Sequence, residues 1–446
     1  MPSFVTSSNL PGVNPDTYDA LIIGCGPGGS SAATFLARAG KRVLVLEKEI
    51  FPRFHIGESL LPCNMAIFRE LGVVPALQAA GFPRKFGARF ELGNGSLGTR
   101  FAFRQGKFNR EPEAIQVERA TFDHILLQHA RTSGADVREG WIVNKFDSDA
   151  DGVSVEARGP DGQAHQFRAA YLIDASGRGN LTGNQEGLRV THPQHKKLAV
   201  FAHFNGVLRD AGEANTDIII VRLPNKWFWI IPISADKTSV GLVIDQEEFA
   251  RETGTPQEIF DRWVASSSAV KERMLNARRV NETRTTSDFS YYNRRLTGDR
   301  LLRVGDAAGF MDPIFSAGVF LAMWSGKLAA ETVRQAIAAG KPGGRPFQAY
   351  EKRVGKGLRY YWHMVENYYT TPFMELFLRP TERCQLFSAV IGVLAGEVEG
   401  SWALRWRMKL FFLLVKIQAR WPLVPRINFR PIVIVTKDPP TCSSPG

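Results

Sequence analysis

The sequence predicts an α/β fold in which a parallel βαβ unit is followed by an inserted β-sheet and by a helical C-terminal region. Three observations support this prediction. A short apolar strand runs into a glycine-rich turn, a helix and a second strand within residues 19–47. Alternating apolar residues between 198 and 244 are typical of sheet strands, and most of 353–420 has helical periodicity. The chain has 446 residues, 44% of them hydrophobic, which is enough for two or three domains with a substantial core.

The elements follow in order along the chain. We expect the first strand at 19–23, a helix at 30–39 that ends before Gly40, and a second strand at 42–46 that finishes at Glu47. Further helices are expected at 64–71, 122–131, 323–340 and over most of 353–420. Further strands are expected at 153–157, 171–174 and 301–306, and the last of these returns the chain to the first sheet. Asp161-Gly162 marks a turn between two of these strands.

The glycine-rich turn between the first strand and the first helix predicts a dinucleotide site. Gly24 permits the tight bend, Gly26 lets a pyrophosphate approach the backbone, and Gly29 allows close contact between helix and strand. The helix N-terminus favours phosphate. The carboxylate of Glu47 can accept hydrogen bonds from ribose hydroxyls.

Composition narrows the possible partners and the cellular location of the protein. The net charge of +12 suits an anionic cofactor, halide ions or an acidic partner, but no nucleic-acid-binding motif accompanies it, so we expect no nucleic-acid partner. The four cysteines are widely spaced and form no CxxC pair, which argues against a disulfide framework and a zinc site and favours a cytoplasmic location. Residues 1–16 are polar and are interpreted as a disordered leader rather than a signal peptide.

The segment from Trp402 to Trp421 contains the apolar run 410–415 between lysines. This run is too short to span a membrane, which requires about 20 apolar residues. It predicts either a helix that docks on the protein core, which we favour, or an amphipathic helix at a membrane surface.

Two later stretches indicate which dinucleotide binds. Gly305-Asp306-Ala307-Ala308-Gly309 resembles the GD motif of the flavoprotein monooxygenase superfamily, in which the aspartate binds the ribityl chain of FAD. Asp174-Ala175-Ser176-Gly177 resembles the short strand-end motif of that superfamily, and Arg119 matches a cofactor-contacting position. The resemblance implies a fold of the p-hydroxybenzoate hydroxylase type with a Rossmann-type FAD-binding domain. We therefore expect FAD-binding residues at 17–195 and 285–340, a substrate-domain sheet at 196–284 and a helical cap at 341–446.

Three further motifs resemble those of the flavin-dependent halogenases. Trp227 to Pro232 reads W-x-W-x-I-P, and Gly57-Glu58-Ser59 with Pro62 resembles the G-E-S/A-x-x-P stretch of that family. Lys85 falls where the family has the lysine required for halogen transfer, although a lone lysine is ordinarily a solvated surface charge. The resemblance implies that FADH2, O2 and halide form hypohalous acid, which Lys85 holds by hydrogen bonding or traps as a haloamine. Burial would favour trapping, because it lowers the pKa of a lysine.

Other residues acquire roles from the same resemblance. Trp227 and Trp229, which could equally be ordinary core packing on a strand, would separate the substrate from the flavin. The backbone N–H groups of Ala317 and Gly318, in the stretch Asp312 to Gly318, would bind chloride or bromide.

One departure from the family points to the substrate. Tryptophan halogenases carry a glutamate where this chain has Phe315, so the resemblance favours a phenolic or pyrrolic substrate whose ring activates itself. Such a substrate could be free or bound to an acyl or peptidyl carrier protein. Because the sequence contains no evident second dinucleotide unit for NAD(P)H, we expect a separate flavin reductase as partner.

Two other functions share the flavin motifs. An FAD-dependent aromatic monooxygenase or oxidase would need neither Lys85 nor the tryptophan pair. A non-catalytic flavoprotein that binds a partner or a membrane through the 402–421 segment would need no site for oxygen chemistry. The sequence favours a two-component FAD-dependent halogenase over both.

Overall fold

The computed structural model describes residues 18–427 and 429, so the predicted leader and the last part of the predicted cap lie outside the described residues. The strands are β1 (Tyr18–Ile23), β2 (Val43–Glu47), β3 (Arg84–Lys85), β4 (Gly87–Leu92), β5 (Gly98–Ala102), β6 (Ala114–Ile115), β7 (Asp136–Glu139), β8 (Ile142–Ser148), β9 (Val153–Arg158), β10 (Ala164–Asp174), β11 (Arg189–Asn205), β12 (Ile218–Leu223), β13 (Lys226–Pro232), β14 (Lys237–Asp245), β15 (Arg278–Arg279), β16 (Arg284–Asn293), β17 (Thr297–Gly298), β18 (Leu301–Arg303) and β19 (Gly309–Phe310).

The helices are α1 (Pro27–Arg38), α2 (Cys63–Leu71), α3 (Val74–Ala79), α4 (Arg119–Thr132), α5 (Leu181–Gln185), α6 (Gln246–Arg251), α7 (Pro256–Ser266), α8 (Ser268–Met274), α9 (Gly318–Ala339), α10 (Arg345–Tyr368), α11 (Thr371–Phe377), α12 (Leu386–Leu394) and α13 (Trp402–Arg420).

The first sheet carries the predicted βαβ unit. Its strand order is β17-β18-β10-β1-β2-β7, and the antiparallel β8–β9 hairpin extends it through β10. Strand β1 pairs in parallel with both β2 and β10, and β10 pairs in parallel with β18. Because the carboxyl ends of these parallel strands meet at one edge, the loops after β1, β10 and β18 come together there. Helix α1 packs against α4 and α9 on one face of this sheet.

The second sheet is larger than the predicted segment 196–284. Its order is β19-β16-β11-β14-β13-β12-β4-β5, with β15 beside β11. Strands β4 and β5, from the predicted FAD-binding segment 17–195, belong to it because β4 pairs in parallel with β12, more than a hundred residues away. Strand β16 adds the other side through antiparallel pairing with β11. Local periodicity does not reveal which distant strands pair, so the boundaries at 196 and 284 do not delimit this sheet.

Several helices begin earlier than predicted. Helix α1 starts at Pro27, because proline is favoured at the first helical position, where its missing N–H is not needed. Arg119 is the first residue of α4 instead of preceding the helix, and α9 starts at Gly318, directly after the predicted halide residue Ala317. The early start of α9 brings a helix N-terminus to that stretch.

The C-terminal region is helical as predicted. Helix α13 buries Leu404, Met408, Phe411 and Val415 against α11 and α12, which confirms the prediction of a docking helix. Its opposite face exposes basic residues. Among the described residues, no helix is long and apolar enough to cross a membrane.

Candidate active site

A cavity of about 1350 Å³ lies between the two sheets. One wall is formed by the loops after β1, β10 and β18, where the first sheet presents Gly24, Ala175 and Gly305. The opposite wall comes from the second sheet and includes Phe201, Trp227, Trp229 and other apolar residues. A cavity of this size, with a nucleotide-type loop at one end and an aromatic wall at the other, can hold both a dinucleotide and an aromatic ring.

The glycine turn has the geometry that its sequence predicts. Gly24 has φ +91°, a conformation that favours glycine. A Cβ on Gly29 would lie 2.0 Å from the carbonyl oxygen of Gly24, so only glycine allows this approach of helix and strand. A Cβ on Gly26 would meet only the Arg53 guanidinium, at 3.8 Å, and would otherwise point into the cavity. The turn and the N-terminus of α1 thus leave an open cradle that fits a pyrophosphate.

Glu47 and Asp306 supply carboxylates at the cavity wall. Glu47 is buried, and its two oxygens accept hydrogen bonds from the backbone N–H groups of Cys25, at 2.6 Å, and Glu49, at 2.9 Å. This fixes the carboxylate at the end of β2, where a ribose is expected. Asp306 lies across the cavity, and burial raises its pKa to about 6.

Arg119 also reaches the cavity, but most of its donors are engaged with the protein. Its guanidinium forms a two-pronged pair with Asp123, at 2.8 Å for each bond, and donates to the carbonyl of Ile56 at 2.6 Å. Because Asp123 also binds Arg53 at 2.7 Å, the group ties α4 to the segment that precedes the G-E-S stretch. Arg53 also pairs with Glu49 at 2.8 Å, so the two arginines beside the phosphate cradle are balanced by two carboxylates.

Asp174 and Gly305 support the cavity differently. Asp174 is fully buried and is not among the cavity-lining residues; it accepts hydrogen bonds from the N–H of Ser176 and from the N–H and hydroxyl of Thr182. The structure therefore places this predicted cofactor residue behind the loop that lines the cavity. Gly305 lies in the wall with φ +58°, and a Cβ there would come within 2.8 Å of the Ala322 side chain.

Lys85 is buried, with 1% of its surface exposed. Its ammonium donates hydrogen bonds to the hydroxyl of Ser59 and the carbonyl of Leu60, both at 2.9 Å, and lies 5.5 Å from the Phe103 ring centre. Burial lowers the pKa of Lys85 to about 7, although the negative charge of Asp217 opposes this change. The structure thus brings Lys85 to the G-E-S stretch, and Ser59 separates it from the cavity.

The two tryptophans lie on one face of β13, with ring centres 5.9 Å apart, and both line the cavity. Their indole N–H groups are held from behind: Trp229 donates to Ser239 at 3.1 Å and Trp227 donates to the Tyr369 hydroxyl at 2.9 Å. The Tyr369 hydroxyl in turn donates to Asp312 at 2.6 Å. This chain of hydrogen bonds links the aromatic wall to the start of the predicted halide stretch.

The halide stretch turns at Ser316, which has φ +55°, and then enters α9. Gly318 is the first residue of this helix and lines the cavity, whereas Ala317 is the N-cap and is buried behind it. The first N–H groups of a helix have no partner within it and attract anions. Phe315 points elsewhere, into a cluster with Phe90 and Tyr368.

The structure also places in the cavity residues to which the sequence assigned no individual role. Arg53, Arg178 and Arg284 add positive charge to its wall, and Arg284 lies 4.1 Å over the Phe54 ring. Glu58 is buried in the wall and pairs with His203. The position of Glu58 inside the G-E-S stretch could have marked it as a site residue. Nothing in the sequence indicated that it would pair with a histidine from a distant strand.

This fold and cavity define an FAD-dependent enzyme, and comparisons with known proteins narrow the class. The family described as FAD binding domain matches residues 17–332. The 1H-pyrrole-2-carbonyl-[peptidyl-carrier protein] chlorinase of Pseudomonas fluorescens is 32% identical over 79% of this chain and 83% of that protein. The corresponding brominase of Pseudoalteromonas luteoviolacea is 36% identical over 78% of this chain and 86% of that protein. The solved structure of flavin-dependent brominase Bmp2 superposes with a TM-score of 0.80 at 31% identity, covering 90% of this chain and 100% of that chain.

The chain therefore belongs to the flavin-dependent halogenases, and it is an FAD-dependent oxidoreductase that uses halide. This confirms the halogenase resemblance and the α/β fold with a Rossmann-type FAD-binding unit that the sequence predicts.

Proposed function

We propose that this enzyme halogenates a pyrrolic or phenolic ring, free or tethered to a carrier protein, and that Lys85 delivers the halogen. When bound, reduced FAD supplies the electrons with which O2 and halide form hypohalous acid. The observation that carries the proposal is a buried lysine, joined through Ser59 to a cavity that has the phosphate cradle at one end and the tryptophan wall at the other.

Lys85 is suited to hold an electrophilic halogen. With a pKa near 7, the side chain is present as both amine and ammonium at neutral pH. The ammonium can donate a hydrogen bond to hypohalous acid, and the amine can react with it to form an N–halogen bond and water. Burial keeps bulk water away from either species.

The other predicted site residues are assigned to FAD, to the halide ion and to the separation of substrate from flavin. We assign Gly24, Gly26, Gly29, Glu47, Arg119, Gly305 and Asp306 to FAD, and Ala317 and Gly318 to chloride or bromide. The tryptophan pair, fixed by Ser239 and Tyr369, keeps the substrate away from the flavin, which favours transfer through Lys85 over direct oxygen transfer.

Two relatives that act on a 1H-pyrrole-2-carbonyl group carried by a peptidyl-carrier protein support a similar substrate here. The net charge of +12 suits docking of an acidic carrier protein.

We further propose that a separate flavin reductase supplies the reduced cofactor, and that the enzyme acts in the cytoplasm, where NAD(P)H is available to such a reductase.

The test combines the enzyme with FAD, a flavin reductase, NADH and bromide. The substrates are 1H-pyrrole-2-carbonyl-carrier protein and a panel of free phenols, pyrroles and indoles. Mass spectrometry should find an enzyme-dependent bromine isotope doublet on a pyrrole or phenol. A reaction without enzyme corrects for free hypobromite.

The decisive variant is Lys85→Ala, which should abolish halogenation while FAD remains bound. Lys271→Ala, which removes a surface lysine from α8, serves as the matched control and should keep full activity. Full halogenation by Lys85→Ala would refute the role of Lys85. Hydroxylated products that do not depend on bromide would indicate a monooxygenase instead.

A further inference from the structure

Glu58 is a buried carboxylate in the cavity that the chemistry described so far does not use. Only 1% of its surface is exposed. One carboxylate oxygen, Oε1, lies 2.7 Å from Nε2 of His203, which is also buried. The backbone is held too, because the N–H of Val117 donates to the Glu58 carbonyl at 2.7 Å. Both ends of the residue are therefore fixed.

The second carboxylate oxygen, Oε2, is buried and has no hydrogen-bond partner among the described residues. An acceptor left in this state ordinarily costs about 1–3 kcal/mol, and more when it is charged. A buried acceptor of this kind calls for an explanation, and a bound water, a ligand and a catalytic role are the usual ones. Since Glu58 lines the cavity, an N–H or O–H of a molecule bound there can supply the missing donor.

Glu58 lies in the part of the cavity wall that is next to Lys85. The next residue, Ser59, accepts the hydrogen bond from Lys85. On the sheet, His203 pairs with Ser239, which pairs with the cavity-lining Ile231. Glu58 thus lines the cavity directly beside the residue that holds the Lys85 ammonium.

The chain also lacks a carboxylate at position 315, where Phe315 packs into an aromatic cluster. We propose that Glu58, oriented by His203, is the catalytic base that accepts the N–H or O–H proton of the aromatic substrate during halogenation. This inference rests on the proposed function and assigns to that site a second reacting group.

Atoms and charges balance in this transfer. The halogen–oxygen bond of hypohalous acid, or the halogen–nitrogen bond on Lys85, breaks as the carbon–halogen bond forms. The ring becomes positively charged, and its N–H or O–H proton passes to Oε2 of Glu58. The halogenated ring carbon then releases its own hydrogen as a proton, and the ring nitrogen or oxygen regains a proton from Glu58, which restores aromaticity. Overall, one ring hydrogen and the hydroxide of hypohalous acid leave together as water.

The test separates formation of hypohalous acid from its transfer to the ring. Hypohalous acid is trapped with a 1,3-diketone, and halogenation is followed with 1H-pyrrole-2-carbonyl-carrier protein and its N-methyl analogue. Glu58→Gln should form hypohalous acid at the wild-type rate but lower kcat for the pyrrole by about 10²-fold, the usual contribution of a positioned base. Glu91→Gln is the matched control, because Glu91 is also buried but pairs with Arg89 and Arg273 outside the cavity.

The N-methyl probe tests the same contact without a variant. Wild-type enzyme should prefer the N–H ring by at least about tenfold in kcat/KM, because methylation leaves the carboxylate without its donor. Glu58→Gln should lose this preference. Full pyrrole halogenation by Glu58→Gln, or a parallel loss of trapped hypohalous acid, would overturn the assignment. Wild-type enzyme that forms neither product would instead refute the proposed function.

Discussion

Gly26 immediately precedes helix α1 and Gly29 lies in its first turn, and we expect each to tolerate substitution poorly for a different reason. Gly29 has no space for a Cβ because the backbone of Gly24 occupies it. Gly26 has φ −65° and ψ −176°, an extended conformation that any residue adopts, and space around its missing side chain. The protein itself therefore leaves space for a side chain at Gly26, and we propose that the bound cofactor sets the constraint there.

We expect Gly26→Val to fold normally and to lose FAD, because the added side chain fills the space that the pyrophosphate needs. Flavin absorbance of the purified protein, together with its circular dichroism, checks both parts. Gly343→Val is the control, since a Cβ there meets nothing within 4 Å. A normal bound-flavin spectrum for Gly26→Val would contradict the prediction.

Lys85 also affects stability, and the sign follows from its pKa. The folded-state pKa of about 7 lies below the ordinary 10.5, so the unfolded chain binds more protons between these values. The buried lysine thus destabilises the fold at and below pH 7, and this effect diminishes as pH rises towards 10.5. Lowering a pKa by one corresponds to about 1.4 kcal/mol of folding free energy.

Lys85→Met should therefore raise the thermal unfolding midpoint at pH 6.5, although it also removes two hydrogen bonds, and should lose this advantage as pH approaches 10. Unfolding of both proteins is followed by circular dichroism across that range. An advantage of the variant that is independent of pH would show that the ammonium does not carry this cost.

At the scale of single elements, α13 shows how one helix divides its two faces. Phe411 is buried against Phe373, with ring centres 5.5 Å apart in an edge-to-face arrangement. Leu413, two positions further on, is 52% exposed. The two side chains have similar apolar character, so only their position on the helix distinguishes them.

Phe411→Ala should destabilise the protein by about 3–5 kcal/mol, because it leaves a cavity between α13 and α11. Leu413→Ala should change stability by no more than about 0.5 kcal/mol. Chemical denaturation of the two variants gives the comparison. Equal losses would mean that α13 does not dock as described.

At the scale of the whole molecule, the positive charge affects association more than folding. Exposed charges are screened over about 10 Å at 0.1 M salt. If the substrate arrives on an acidic carrier protein, attraction to a chain of net charge +12 accelerates the encounter.

We expect kcat/KM for a carrier-bound pyrrole to fall at least several-fold between about 50 and about 500 mM salt, since rates steered by charge decline steeply with ionic strength. A free phenol or pyrrole should show little change under the same conditions. Steady-state kinetics with both substrates provide the measurement, and equal salt dependence would argue against electrostatic docking of the carrier.

The sequence by itself determined the dinucleotide unit, the flavin motifs and the alternation that puts Trp227 and Trp229 on one strand face. These features depend on residues close together in the chain, where a glycine turn or a two-residue period has a direct structural meaning. The tertiary structure alone decided that β4 and β5 join the second sheet, that Asp174 lies behind the cavity, and that Glu58 meets His203. Each of these features depends on contacts between residues that are far apart in the chain. Strand pairing and burial bring those residues together, and no local sequence pattern encodes either.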